Sequence, residues 1–247
     1  MMPDAGDHRR RLWRAATLAS LVSAGALAGC GDSVGARGDS FDVSFDFSND
    51  YQGWVPGFVD YPVGKEAEWA IGSSLAPLPV PLDPARKGIL LTGANHSDDL
   101  FMYITREGPG LAPNASYVVR YRVTVATNAP SGCAGIGGAP GESVVLKVGA
   151  TPTEPARIVD AAQYYRANFD HGSQFVGGRD ALPVGNIANS NTNCAVSRYE
   201  LKVFDSAPLT IATSANGRLW LVVGVDSGFE GTTAVYITSV RVAIGPA

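Results

Sequence analysis

Two histidines stand beside carboxylates, the pairing that general acid–base chemistry requires. His96 opens toward Asp98 and Asp99 in the run Asn95-His96-Ser97-Asp98-Asp99, and His171 follows Asp170. Brought into a groove, such a pair would pass protons to and from a substrate. Two carboxylates about 5 to 10 Å apart would cleave a glycosidic bond. The Asn95–Asp99 run also fits an Asx turn, whose side chains bond their own backbone and face no ligand. No Gly-x-Ser-x-Gly elbow, His-Glu-x-x-His pair or phosphate loop accompanies these residues. Catalysis is left open, and non-catalytic binding is the favoured class.

A second group suits binding rather than bond breaking. Tyr51, Trp54, Phe58, Tyr61 and Trp69 crowd one Gly/Pro-broken segment with little strand pattern. Aromatic faces cover apolar sugar faces, while a few polar loop groups fix the hydroxyls. Tyr51, Trp54 and Trp69, with Asn95, His96, Asp98, Asp99 and Glu142, are therefore the candidate ligand contacts, and a glycan is the leading ligand class. The competing expectation for Trp54 is burial in the core. No cofactor is expected apart from one option, a structural calcium. That ion takes six to eight oxygens, and Asp46, Asn49, Asp50, Asp98, Asp99, Asp226 and Glu230 supply loop or strand-end donors, without EF-hand spacing.

The elements that must position these residues read as strands. In FDVSFDF, Phe41, Val43, Phe45 and Phe47 alternate with polar residues, and in SYVVRYRVTVA, Tyr117, Val119, Tyr121, Val123 and Val125 share one face. RYELKVF places Tyr199, Leu201 and Val203 opposite Arg198, Glu200 and Lys202. Further strands are expected at 88–93, 99–106, 143–150, 163–169, 218–226 and 234–244. The run from Leu219 to Val225 is apolar on both faces, as in a central strand covered on each side. PARIVDAAQ, 155–163, is the one stretch with helical character. With 29 Gly and 16 Pro punctuating short strands, the fold class is all-β, an antiparallel jelly-roll-like sandwich. One domain, 41–247, accounts for it.

Arg9, Arg10, Arg11 and Arg14 precede an uncharged stretch of 14 residues, Ala15 to Ala28. A membrane-spanning helix needs about 20 apolar residues, so the stretch matches an export signal instead. It ends in Leu27-Ala28-Gly29-Cys30, which resembles the lipobox of bacterial lipoproteins. The resemblance implies cleavage after residue 29 and acylation of Cys30, with palmitate-type chains anchoring the protein to a bilayer. One myristoyl-sized chain binds with an association constant of only about 10⁴ per molar, so several chains on one cysteine matter. The arginine run is also weakly similar to a twin-arginine signal. Residues 30–40, small and polar, read as a flexible tether. The implied address is the bacterial cell envelope, and Gly31 leaves the choice of membrane open.

With Cys30 assigned to lipid, Cys133 and Cys194 remain as an even pair in a compartment where disulfides persist, and a bridge is expected. After residue 29 the chain carries 15 basic and 21 acidic side chains. That balance excludes a nucleic-acid-binding surface. NHSDDLFMYI, GGAPGESVVLK and the pair Gly177-Gly178 resemble an uncharacterised family of bacterial lipoproteins and secreted proteins. In outline the chain is also similar to β-sandwich carbohydrate-binding modules. The family resemblance implies the domain and no chemistry. Hydrolase, lyase and purely structural roles remain as alternatives.

Overall fold

The computed structural model describes residues 40–97 and 99–247. Among them every regular element is a strand. The larger sheet runs β12 (Glu200–Asp205), β7 (Ser116–Thr127), β15 (Thr232–Pro246), β5 (Lys87–Ala94), β4 (Gly72–Pro77). The long β15 also pairs with β1 (Phe41–Asp46), and β7 with β13 (Leu209–Ala212). The second sheet runs β11 (Ala181–Asn186), β8 (Val144–Thr151), β14 (Trp220–Ser227), β6 (Leu100–Glu107), β2 (Val55–Val59). A small third sheet joins β3 (Tyr61–Pro62), β10 (Tyr164–Ala167) and β9 (Arg157–Val159). All pairings are antiparallel.

Alternation builds the core. Val119, Tyr121, Val123 and Val125 of β7 and Ile89 and Leu91 of β5 face Leu146 and Val148 of β8 and Leu221, Val223 and Val225 of β14 across the sandwich. On β15 the inward set changes parity, from Val235 and Ile237 to Val240, Val242 and Ile244. A bulge at Thr238 produces the change, and its hydroxyl donates to the Thr124 carbonyl at 3.0 Å. Every residue of β14 is buried. Its second face, with Phe101, Tyr103 and Val59, is covered by Phe169 and the chain around it.

Two expectations are corrected here. The 155–163 stretch is not helical: Arg157, Ile158 and Val159 pair with β10, and Asp160 shapes the hairpin turn by accepting from the Ala162 and Tyr164 amides at 2.9 Å each. In β12 the faces are reversed. Leu201 and Val203 are exposed, while Phe204 enters the core and Lys202 Nζ donates inward to the Asn186 carbonyl at 2.7 Å.

The register also sorts the loops. Ser40 lies beside Gly245 and Phe41 pairs with Ile244, at the C-terminal end of β15. Thr127, Val144, Asn186, Glu200, Ser227 and Thr232 all sit at the other end. The 15 residues of β15 separate the two ends by roughly 50 Å.

Candidate functional site

At the end remote from Ser40, one turn, 227–231, organises its neighbours. Asn95 Nδ2 donates to the Ser227 carbonyl at 2.7 Å, and the Asn95 amide to Gly231 O at 3.0 Å. The Gly228 amide reaches Ser143 O at 2.8 Å, and the Glu230 amide reaches Ile136 O at 2.8 Å. The Asn95–Asp99 turn and the glycine-rich 128–142 loop thus converge on the same element. Glycine is needed at that approach: a methyl group on Gly135 would sit 2.6 Å from the Phe229 ring.

Beside this turn lies a cleft of about 300 Å³. Its walls include Asn128, Ser197, Thr232, Pro130, Pro140 and the half-buried ring of Phe229. Asn128 Nδ2 donates to Ser197 Oγ at 2.9 Å. Cys194 forms part of the wall and is bonded to Cys133, with Cα atoms 5.7 Å apart. The expected disulfide therefore holds one side of the cleft. The walls carry the Asn128 amide, hydroxyls, prolines, aliphatic side chains including Ile187 and Val196, and one aromatic ring, with no ionisable side chain. Such a lining suits a neutral, polyhydroxylated ligand.

A chain of charges lies behind the second sheet. Lys147 Nζ, fully buried, sits 2.8 Å from Asp226 Oδ2 and donates to the His171 carbonyl at 2.8 Å and that of Val176 at 3.2 Å. His171 Nε2 approaches Asp60 Oδ2 at 3.1 Å, and Asp60 Oδ1 accepts from Arg166 at 2.8 Å. Arg166 also reaches Asp160 at 2.9 Å and Asp99 at 3.4 Å. Burial, with Asp60 and Asp226 nearby, pushes the Asp99 carboxyl up to about 7 against the pull of Arg166. Burial works to lower His171, but its contacts with Asp226 and Asp60 outweigh it and raise the imidazole to about 9. Asp226 is lowered, because His171 and Lys147 overcome its desolvation. The chain fastens segment 160–176 over the sheet.

The sequence candidates divide accordingly. Trp54 and Trp69 are each 2% exposed, so neither offers a stacking face. Trp54 packs edge-on against Phe45 at 5.4 Å, and Trp69 lies 5.9 Å from Tyr61 and 5.4 Å from His96. Core packing, the competing expectation, describes both. Tyr51 is half-buried against the same core. Asn95 is buried and its Oδ1 accepts from the Ser97 and Asp99 amides, the geometry of an Asx turn. His96 is exposed, with Nε2 3.3 Å from Glu68 O. Glu142 Oε1 accepts from the Gly132 amide at 2.7 Å and braces the loop.

Asp98 and Cys30 lie outside the described residues. Among those described, no group of three His, Cys, Asp or Glu side chains is placed to hold a metal. The calcium candidate Asp226 is taken up by Lys147. Sequence reasoning missed Phe229, Asn128 and Ser197, as well as Lys147, Asp60 and Arg166. A lysine inside the apolar run SVVLKVGA was the available signal for the charge chain.

No family model matches the chain, and no curated protein sequence does. Similar solved structures include the CBM22-1 xylan-binding domain of Paenibacillus barcinonensis Xyn10C, at 11% identity and TM-score 0.39, over 85% of this chain and 97% of that one. The mannan-recognising module TmCBM27 gives 10% and 0.38, over 86% and 100%. A putative sugar binding protein from Bacteroides thetaiotaomicron gives 8% and 0.36, over 78% and 88%. At these identities and scores the functional reading rests on the chain's own geometry.

Proposed function

We propose that the chain is a non-catalytic, glycan-binding lipoprotein of the bacterial cell envelope, tethered to a bilayer through acylated Cys30. One observation carries the binding reading: the uncharged cleft with the half-buried Phe229 ring, at the end of the sandwich opposite Ser40. A neutral sugar face would lie on Phe229 while the Asn128 and Ser197 groups meet its hydroxyls.

A hydrolytic reading has one point in its favour, the Asp99 carboxyl at about 7. Its nearest partners in acid–base work, Asp60 and His171, are buried, so a sugar would meet one carboxylate where hydrolysis needs two.

The test is a glycan array followed by calorimetry on the best binder. Phe229→Ala, measured at a temperature where the variant is still folded, is expected to lower affinity at least tenfold, beyond any loss of stability from its packing on the core. A folded chain that binds no neutral glycan overturns the reading. Cys30→Ala is expected to move the protein from the membrane to the soluble fraction, and retention on the membrane would refute the anchor.

A further inference from the structure

Large apolar side chains gather in the open beside the cleft. Ile136 is 73% exposed, Phe175 55%, Val176 68% and Val196 47%. They come from three separate loops, yet they are not loosely held. Ser173 and Val176 bond each other's backbone in both directions, at 3.0 and 2.8 Å, closing a two-residue hairpin with Phe175 at its tip. The Gln174 amide in that hairpin donates to Asp226 Oδ2 at 2.8 Å. Gly228 leaves room for Gln174, since a methyl group there would come within 2.7 Å of its amide. Ile136 is fixed to the same turn through Glu230. Val196 lines the cleft itself, and Phe229 stands between cleft and glycine loop.

Each of the three loops is thus tied to the 227–231 turn or to the cleft wall, and we take their exposed apolar side chains together as a ledge around that turn. Water-exposed residues of this kind are ordinary when scattered, and informative when they gather in one place. Their rigidity lowers the ordering cost of binding. The adjoining cleft is uncharged and sets amide and hydroxyl groups among apolar side chains, so a single occupant of both surfaces is amphipathic, neutral at its polar end and hydrocarbon at the other.

We infer that the ledge is a subsite for the hydrocarbon portion of an amphipathic glycan, a glycolipid or acylated sugar whose head occupies the cleft. The inference rests on reading the cleft as a glycan site, and the test separates the two. The full chain carrying Cys30→Ala is titrated with methyl and octyl glucosides, galactosides, mannosides, xylosides and maltosides, all below micelle formation, and with octyl phosphocholine. Each buried methylene contributes about fourfold in affinity. For at least one sugar the octyl form is expected to bind at least tenfold tighter than the methyl form. The double variant Ile136→Ser, Phe175→Ser should remove that gain and leave methyl glycoside binding and the melting temperature intact.

Equal binding of methyl and octyl forms for every sugar overturns the ledge and leaves the cleft standing. An equal gain with octyl phosphocholine keeps the ledge and overturns the sugar requirement. No binding of any glycoside overturns both.

Discussion

His171 stacks on Phe101, ring centroids 4.3 Å apart, while its Nε2 lies 3.1 Å from Asp60 Oδ2. The imidazole is thus clamped between an aromatic face and a carboxylate, with Asp226 3.7 Å from its other nitrogen. Its raised position, about 9 against an unfolded value of 6.5, ties stability to pH. A group raised on folding stabilises fully below its unfolded value and loses that contribution as pH climbs through the folded one. Asp99, raised toward 7, acts in the same direction at lower pH: the folded state holds its proton more tightly, so stability falls as pH rises from about 4 to 7. From pH 6.5 to 9 the His171 contribution, on the order of 3 kcal/mol, should disappear. Thermal melts across that window are expected to show a declining midpoint, and His171→Gln should flatten the decline.

The Lys147–Asp226 pair, 2.8 Å apart and fully buried, should be intolerant of losing one member. Lys147→Met would strand a buried carboxylate and the carbonyls of His171 and Val176, costing about 3 to 5 kcal/mol. Combining it with Asp226→Leu should recover much of the loss, because two apolar side chains strand no charge. Urea unfolding of the two single variants and the double variant measures the coupling.

Trp54→Ala is expected to act on stability rather than on recognition. Its indole lies edge-on between Phe45 at 5.4 Å and Phe47 at 6.3 Å, and the cavity left behind should cost about 3 to 5 kcal/mol. At a temperature where the variant is still folded, glycan affinity should match that of the parent. Calorimetry on folded protein distinguishes this from a direct contact.

The Cys133–Cys194 bridge closes a 61-residue separation. Replacing both cysteines by alanine should lower stability by about 4 kcal/mol through the unfolded chain's added freedom. Since Cys194 belongs to the cleft wall, ligand affinity should weaken as well. Guanidinium midpoints with and without reductant provide the first measurement, and titration of the reduced protein the second.

Much of the sandwich was legible because its strands obey period two. Tyr117 to Val125 of β7 alternate without interruption, and each apolar member reaches the core. Legibility fails where pairing rather than pattern decides. The Thr238 bulge turns β15 over halfway, which no alternation rule anticipates. The three-residue β9 is too short for any period to register, and its composition imitates a helical turn. In β12 the edge position left Leu201 and Val203 facing water. The site was harder still. Trp54 and Trp69 were prominent by residue type, yet their hydrophobic area made the core their better environment. Phe229, Asn128 and Ser197 lie in separate loops, brought together by the register of β7, β12, β14 and β15 and by the Cys133–Cys194 bridge. The charge chain likewise links Asp60, Lys147, Arg166 and Asp226, residues far apart in sequence.

The chain enters its sandwich at Ser40 and leaves it at Ala247, whose amide donates to Ser116 O at the same pole. Ser40 and Ala247 are therefore together, on the side away from the cleft. A fluorophore, affinity tag or sensor surface coupled through Ala247 will present the opposite pole unobstructed.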